Sequence, residues 1–112
     1  MRKSVVAIVA ACLSVPGTAQ ITNSGDNPSL NQFFDRANQC LSDFDMKAKA
    51  KKLSVDSYKA AVDGACVDNI KTLRALYMLS MERNPNQDYH IERFDANVKD
   101  TKAKMVSDYA MR

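Results

Sequence analysis

Cysteine and histidine are the side chains whose type alone invites metal or nucleophilic chemistry, and this 112-residue sequence holds three of the first and one of the second. A single histidine, His90, with no free thiol to join it cannot assemble a zinc site of the usual composition. It sits beside Tyr89 and Glu92 at the edge of a helical stripe, where it reads as an ordinary surface residue, with a pH-responsive contact as the alternative. No serine lies in a recognisable nucleophile motif. The carboxylate pairs Asp43/Asp45 and Asp63/Asp68 have no spacing that marks acid/base work, and Asp43-Phe44-Asp45 lacks the glycine and distal glutamate of a calcium loop. A glycine-rich phosphate loop is absent from the sequence. Catalysis is therefore not expected, and no cofactor or metal ion is called for.

Sulfur chemistry remains, and its outcome depends on compartment. Met1-Arg2-Lys3 is a short basic start, Val5 to Val15 is apolar, and Gly17-Thr18-Ala19 ends the run with small residues where a signal peptidase reads them. Residues 1–19 thus read as a signal peptide whose removal leaves Gln20 first, and the chain as exported, either periplasmic or secreted. A second reading takes Val9-Ala10-Ala11-Cys12 as a lipoprotein signal with Cys12 acylated, although this shortens the apolar run to about seven residues, the bottom of the usual range. In an oxidising compartment, Cys40 and Cys66 have each other as partners and form a disulfide rather than a redox or metal site. Closing a loop of that size stabilises a small fold by about 3.5 kcal/mol on the chain-entropy model.

Export also removes Arg2 and Lys3, leaving 14 basic side chains against 13 acidic ones, so the net charge falls from +3 to +1. That balance argues against a nucleic-acid surface. No apolar run reaches the ~20 residues of a membrane span.

The elements that position the two cysteines follow from periodicity. Residues 20–27 are polar and aperiodic and read as a flexible tether. Asn27 then caps a first helix with Pro28 at its first position. Leu30, Phe33, Phe34, Ala37, Cys40, Leu41, Phe44 and Ala48 form one stripe about 120° wide. Lys47, Lys49, Lys51 and Lys52 close this helix, where its dipole favours cations; a solvated helix end is the reading, with an anion site as the alternative.

A turn at Leu53-Ser54 opens a second helix, with Ser54 as cap and Leu53 able to staple against Tyr58. Its apolar residues, from Tyr58 through Val62, Cys66, Leu73, Tyr77 and Leu79 to Met81, cover about 200°, the width of a central helix touching two neighbours. Gly64 lowers its stability by about 1 kcal/mol and marks a kink at Asp63-Gly64, while Asn69 falls inside the arc and needs a partner if buried. Asn84-Pro85-Asn86 ends it, and Asn86 can cap a third helix with the stripe Ile91, Phe94, Val98, Thr101, Met105 and Tyr109. Two antiparallel helices meeting at residue 53 place Cys40 and Cys66 level with each other, about 20 Å from the bend at ~1.5 Å rise per residue. The expected fold is an all-α, antiparallel three-helix bundle over residues 28–112, built on a helical hairpin stapled by Cys40–Cys66.

Val67 and Met78 lie on the side of the second helix away from its main arc, across about three turns. If exposed, they offer a small adaptable patch for another protein. A cysteine in the first helix, Ser57-Tyr58 with Val62-Asp63 opening the second, and Asn84-Pro85 ending it resemble the Tai-type immunity proteins of the bacterial periplasm. The chain departs from them in lacking a cysteine just before the tyrosine, in Ala61 where glycine is favoured, and in Cys66, so no residue role is carried over. The expected function is a non-enzymatic, exported protein-binding module such as an inhibitor, immunity protein or small chaperone. The competing expectation is an envelope-associated structural protein, anchored through Cys12 or self-assembled through its own apolar patch.

Overall fold

The computed structural model describes residues 19–23 and 27–111, so Cys12 and the cleavage motif, apart from Ala19, lie outside the described residues. Asn27 accepts a bond from the Ser29 N–H at 3.1 Å, and Pro28 begins a 3₁₀ turn, Pro28–Leu30, that runs into helix α1, Asn31–Ala50. The helix ends on Lys52, whose backbone is left-handed at φ 56°. There the Leu53 N–H returns to the Ala48 carbonyl (3.2 Å) and the Lys52 N–H to the Lys49 carbonyl (3.0 Å). This is the paired bonding of a Schellman ending, with lysine in the position glycine usually fills. Ser54 caps α2, Val55–Asp63, by accepting from the Ser57 N–H at 3.1 Å.

The expected long second helix is broken. After α2 ends at Asp63, Gly64 takes φ −95° and Cys66 takes φ 59°, and α3 runs from Val67 to Ser80. A left-handed residue cannot continue a right-handed helix, so the helical phase is reset at Cys66. The reset changes which side chains face inward. Tyr58 and Val62 are buried in α2, and Leu73 and Tyr77 in α3, while Leu79, expected in the apolar arc, is 62 % exposed and Asn69 faces solvent. Each half therefore carries a narrow stripe, and the wide arc seen along one continuous helix was the sum of two stripes in different phases.

The third helix of the expectation is α4, Gln87–Ala110, with Ile91, Phe94, Thr101 and Met105 buried as the stripe requires. Asn86 precedes it but makes no side-chain cap bond; its N–H is instead taken up by Asn84 Oδ1 at 2.7 Å. α3 stops at Ser80, ahead of Asn84-Pro85, and no asparagine there is left-handed, since Lys52 and Cys66 are the non-glycine residues with positive φ among those described.

The helices form three rods, the second made of α2 and α3. α4 runs antiparallel to both halves: Tyr109 near its end stacks on Tyr58 of α2 at 4.0 Å, and Phe94 near its start stacks on Tyr77 of α3 at 5.4 Å. α1 runs antiparallel to α3, with Phe34 edge-on to Tyr77 at 6.2 Å and Cys40 bonded to Cys66. Two aromatic clusters result. Phe34, Tyr77 and Phe94 join α1, α3 and α4, while Phe44, Tyr58 and Tyr109 join α1, α2 and α4. Edge-on and offset stacked pairs of this kind each contribute about 0.5–1.5 kcal/mol beyond the area they bury. The all-α antiparallel bundle with its Cys40–Cys66 bridge is as expected, and its second rod is two helices rather than one.

The flexible tether expected over residues 20–27 requires correction at its start. Ile21 is 2 % exposed and belongs to the core; its own N–H bonds to Asn38 on α1, and that of Thr22 to Asn97 on α4. A single apolar side chain with backbone bonds on either side is enough to dock a short polar stretch, and it leaves no periodicity for a sequence reading to find.

Candidate protein-binding face

Cys66 is both the end of the break and the residue before α3, so the disulfide sets where α3 begins. Its geometry, with Cα atoms 5.9 Å apart, is that of an ordinary bridge, and it ties the break to the middle of α1. Beside it runs an open groove of about 540 Å³ whose wall includes Phe44 and the disulfide, with Arg36, Asp43, Lys47 and Asn69 around it. Asp43 accepts from Gln39 Nε2 at 3.0 Å, and the Arg36 guanidinium lies 5.4 Å over the ring of Phe33.

Val67 and Met78 are both exposed on α3, at 40 % and 38 %. They are not in contact along the helix, because eleven residues separate them by about 16 Å. Lys71 and Arg74 complete the steps between them at spacings of four, three and four, so the face is a mixed stripe with apolar ends and a cationic middle. Arg74 is fixed in place. Its Nε and Nη2 donate to the two carboxylate oxygens of Asp95 on α4, at 2.7 and 2.9 Å, and this pairing raises its pKa further above the usual arginine value. Its Nη1 lies 3.5 Å from Met78 Sδ, and the Met78 carbonyl accepts from Gln87 Nε2 at 3.0 Å. Leu79, next to Met78, adds apolar surface that the sequence reading had assigned to the core; the phase reset at Cys66 is the signal that would have moved it outside.

The other residues singled out in the sequence take structural positions. His90 is half-buried with its ring edge-on to Tyr89 at 5.5 Å. Of the lysines closing α1, Lys49 pairs with Asp45 at 3.0 Å one turn back, and Asp45 also accepts from the Tyr58 hydroxyl at 2.7 Å. Asp63 and Asp68 fall in different helices on either side of the break. Among the described residues, no group of three or more His, Cys, Asp or Glu side chains could hold a metal ion, and no helix is long and apolar enough to cross a membrane.

Comparisons with protein-family models, with curated proteins and with solved structures find no match to this chain. The resemblance to Tai-type immunity proteins therefore rests on the residues quoted above alone.

Proposed function

We propose that the chain is an exported, non-enzymatic protein-binding module, of the inhibitor, immunity-protein or small-chaperone kind, that engages its partner through the exposed face of α3. The observation that supports this reading is the position of the Cys40–Cys66 bridge immediately before Val67. A disulfide persists in an oxidising compartment, and this one fixes the start of the helix that carries the stripe. The stripe has the chemistry of a recognition surface: an adaptable methionine and a valine at its ends, with Lys71 and a rigidly held Arg74 between them. Its complement is a partner segment with an acidic residue to meet Lys71 and apolar residues on either side.

The test is capture from the exported fraction of the source cells by three baits: the oxidised chain, the Val67→Asp/Met78→Asp variant, and the reduced, alkylated chain. A partner bound by the first should be lost from the other two. Equal capture by the double variant would remove the α3 face from the reading, and no enrichment over an unrelated helical bait would remove the binding module itself.

A further inference from the structure

We propose that the channel between α1 and α4 is a binding groove for an extended peptide, which the chain fills with its own residues 20–23 and which accepts a second peptide in trans when that segment lifts away. The groove reads backbone. Asn38 on α1 uses both atoms of its amide on one residue, accepting from the Ile21 N–H at 2.7 Å and donating to the Ile21 carbonyl at 2.9 Å. A neighbouring β-strand offers the same donor and acceptor pair. From α4, Asn97 Oδ1 accepts the Thr22 N–H at 2.7 Å, and one turn further Thr101 Oγ1 donates to the Gln20 carbonyl at 3.1 Å.

These four bonds involve three consecutive peptide residues and none of their side chains. Selection comes from one pocket. Ile21 is buried while Gln20 and Thr22 are exposed on either side, the alternation of an extended strand. The ligand class follows: an uncharged extended segment with a branched aliphatic residue at the anchor and polar residues on either side of it.

An inward-facing polar side chain between helices costs stability unless it is bonded. Thr101 is buried and Asn38 and Asn97 are half-buried, and each finds its bond in the peptide backbone. The lining is therefore made for a peptide rather than for a helix or a small apolar molecule. The resident segment competes at an effective concentration of order millimolar, as short connections give, so a peptide from outside enters only where it binds more tightly or the resident is ejected.

The test uses the oxidised chain from residue 20 to 112 and a fluorescent N-acetyl-Gln-Ile-Thr-Asn amide. Ile21→Asp should eject the resident segment and bind this peptide saturably, at least about tenfold more tightly than the unsubstituted chain. Adding Asn38→Ala, which removes two bonds, should weaken that binding about tenfold, and a peptide with aspartate at the anchor should not bind. A folded Ile21→Asp chain that does not bind, or equal binding by all three chains, overturns the proposal. Should Ile21→Asp fail to fold, hydrogen exchange on the unsubstituted chain decides. The Ile21 and Thr22 amides should exchange at least about a hundredfold faster than those of Leu41 and Leu73, as a segment that opens separately from the bundle must. Exchange at the same rate as the core would overturn it.

Discussion

The phenol of Tyr109, in the last turns of α4, donates to the carbonyl of Leu53 at 2.6 Å, so the end of the chain holds the turn between α1 and α2. The same hydroxyl lies 3.3 Å from the Ala48 carbonyl, while the ring stacks on Tyr58. Tyr109→Phe keeps the stack and deletes the bond. It is expected to lower stability by about 0.5–1.5 kcal/mol, the net worth of an ordinary hydrogen bond, read as an earlier urea midpoint with unchanged slope. A variant as stable as the parent would show that the turn is held without it.

Lys52 and Gly64 should respond in a way their side chains alone would not suggest. Lys52 is left-handed at φ 56°, a conformation that costs an L-residue about 1–2 kcal/mol, so Lys52→Gly is expected to stabilise the chain by about 1 kcal/mol. Gly64 has φ −95°, and a Cβ added there meets no atom within 4 Å. Gly64→Ala should therefore gain about 0.4–1 kcal/mol through the unfolded state. Thermal unfolding of the two variants checks both signs, and a loss of stability in either contradicts the backbone geometry described.

Tyr77 presents the opposite case to Tyr109. Its ring is buried between Phe34 and Phe94, and its hydroxyl is buried without a hydrogen-bond partner among the described residues. Removing an unsatisfied buried hydroxyl takes away a desolvation cost and no bond. Tyr77→Phe is expected to leave stability unchanged or raise it by about 1 kcal/mol. A clear loss on chemical denaturation would require an additional contact to that oxygen.

Lys102 gives the fold a pH dependence of known sign. Its ammonium donates to the Asp63 carbonyl at 3.1 Å, and burial lowers its pKa below the usual 10.5, with the Asp63 charge offsetting part of the effect. Between the lowered value and 10.5, the unfolded chain holds a proton that the folded chain has released. Stability contributed by this group therefore rises with pH across that window, and the cost of burying the charge is fully present below it. Urea midpoints of the parent should climb relative to those of Lys102→Met through the alkaline range. Parallel curves for the two chains would remove Lys102 as the cause.

Processing is checked by intact mass of the protein from its native compartment, alkylated with and without reduction. The expected species begins at Gln20 and shows two reactive thiols only after reduction. An acylated species beginning at Cys12 would turn the soluble module into a tethered component of the envelope.

Much of the bundle was legible because local rules determine it. Asn27-Pro28 and Ser54 cap where their side chains say they should, and the α4 stripe from Ile91 to Tyr109 faces inward at the spacing read from the sequence. The bridge followed from elimination among three cysteines. The break in the second rod was only partly legible. Gly64 signals a weak point worth about 1 kcal/mol, but the turn is made at Cys66, a residue with no intrinsic preference for the left-handed region and tied to Cys40 on another helix. The docked segment was not legible because Ile21 is one apolar residue among polar ones, and Asn38, Asn97 and Thr101 lie 17, 75 and 81 positions from Ile21, Thr22 and Gln20, the residues they bond. Whether Val67 and Met78 are exposed was open in the sequence; the structure exposes both, with Lys71 and Arg74 between them.

The exposed junction at Asp63-Gly64 lies between the two cysteines, and this has a consequence for covalent continuity. A single proteolytic nick there yields one piece carrying Cys40 and another carrying Cys66, and the disulfide keeps them one molecule. Both pieces contribute rings to both aromatic clusters: Phe34 and Phe44 with Tyr58 from the first, Tyr77, Phe94 and Tyr109 from the second. The nicked protein would run as a single band until reduced, then as two. At this exposed joint the loss of a peptide bond leaves the molecule in one piece.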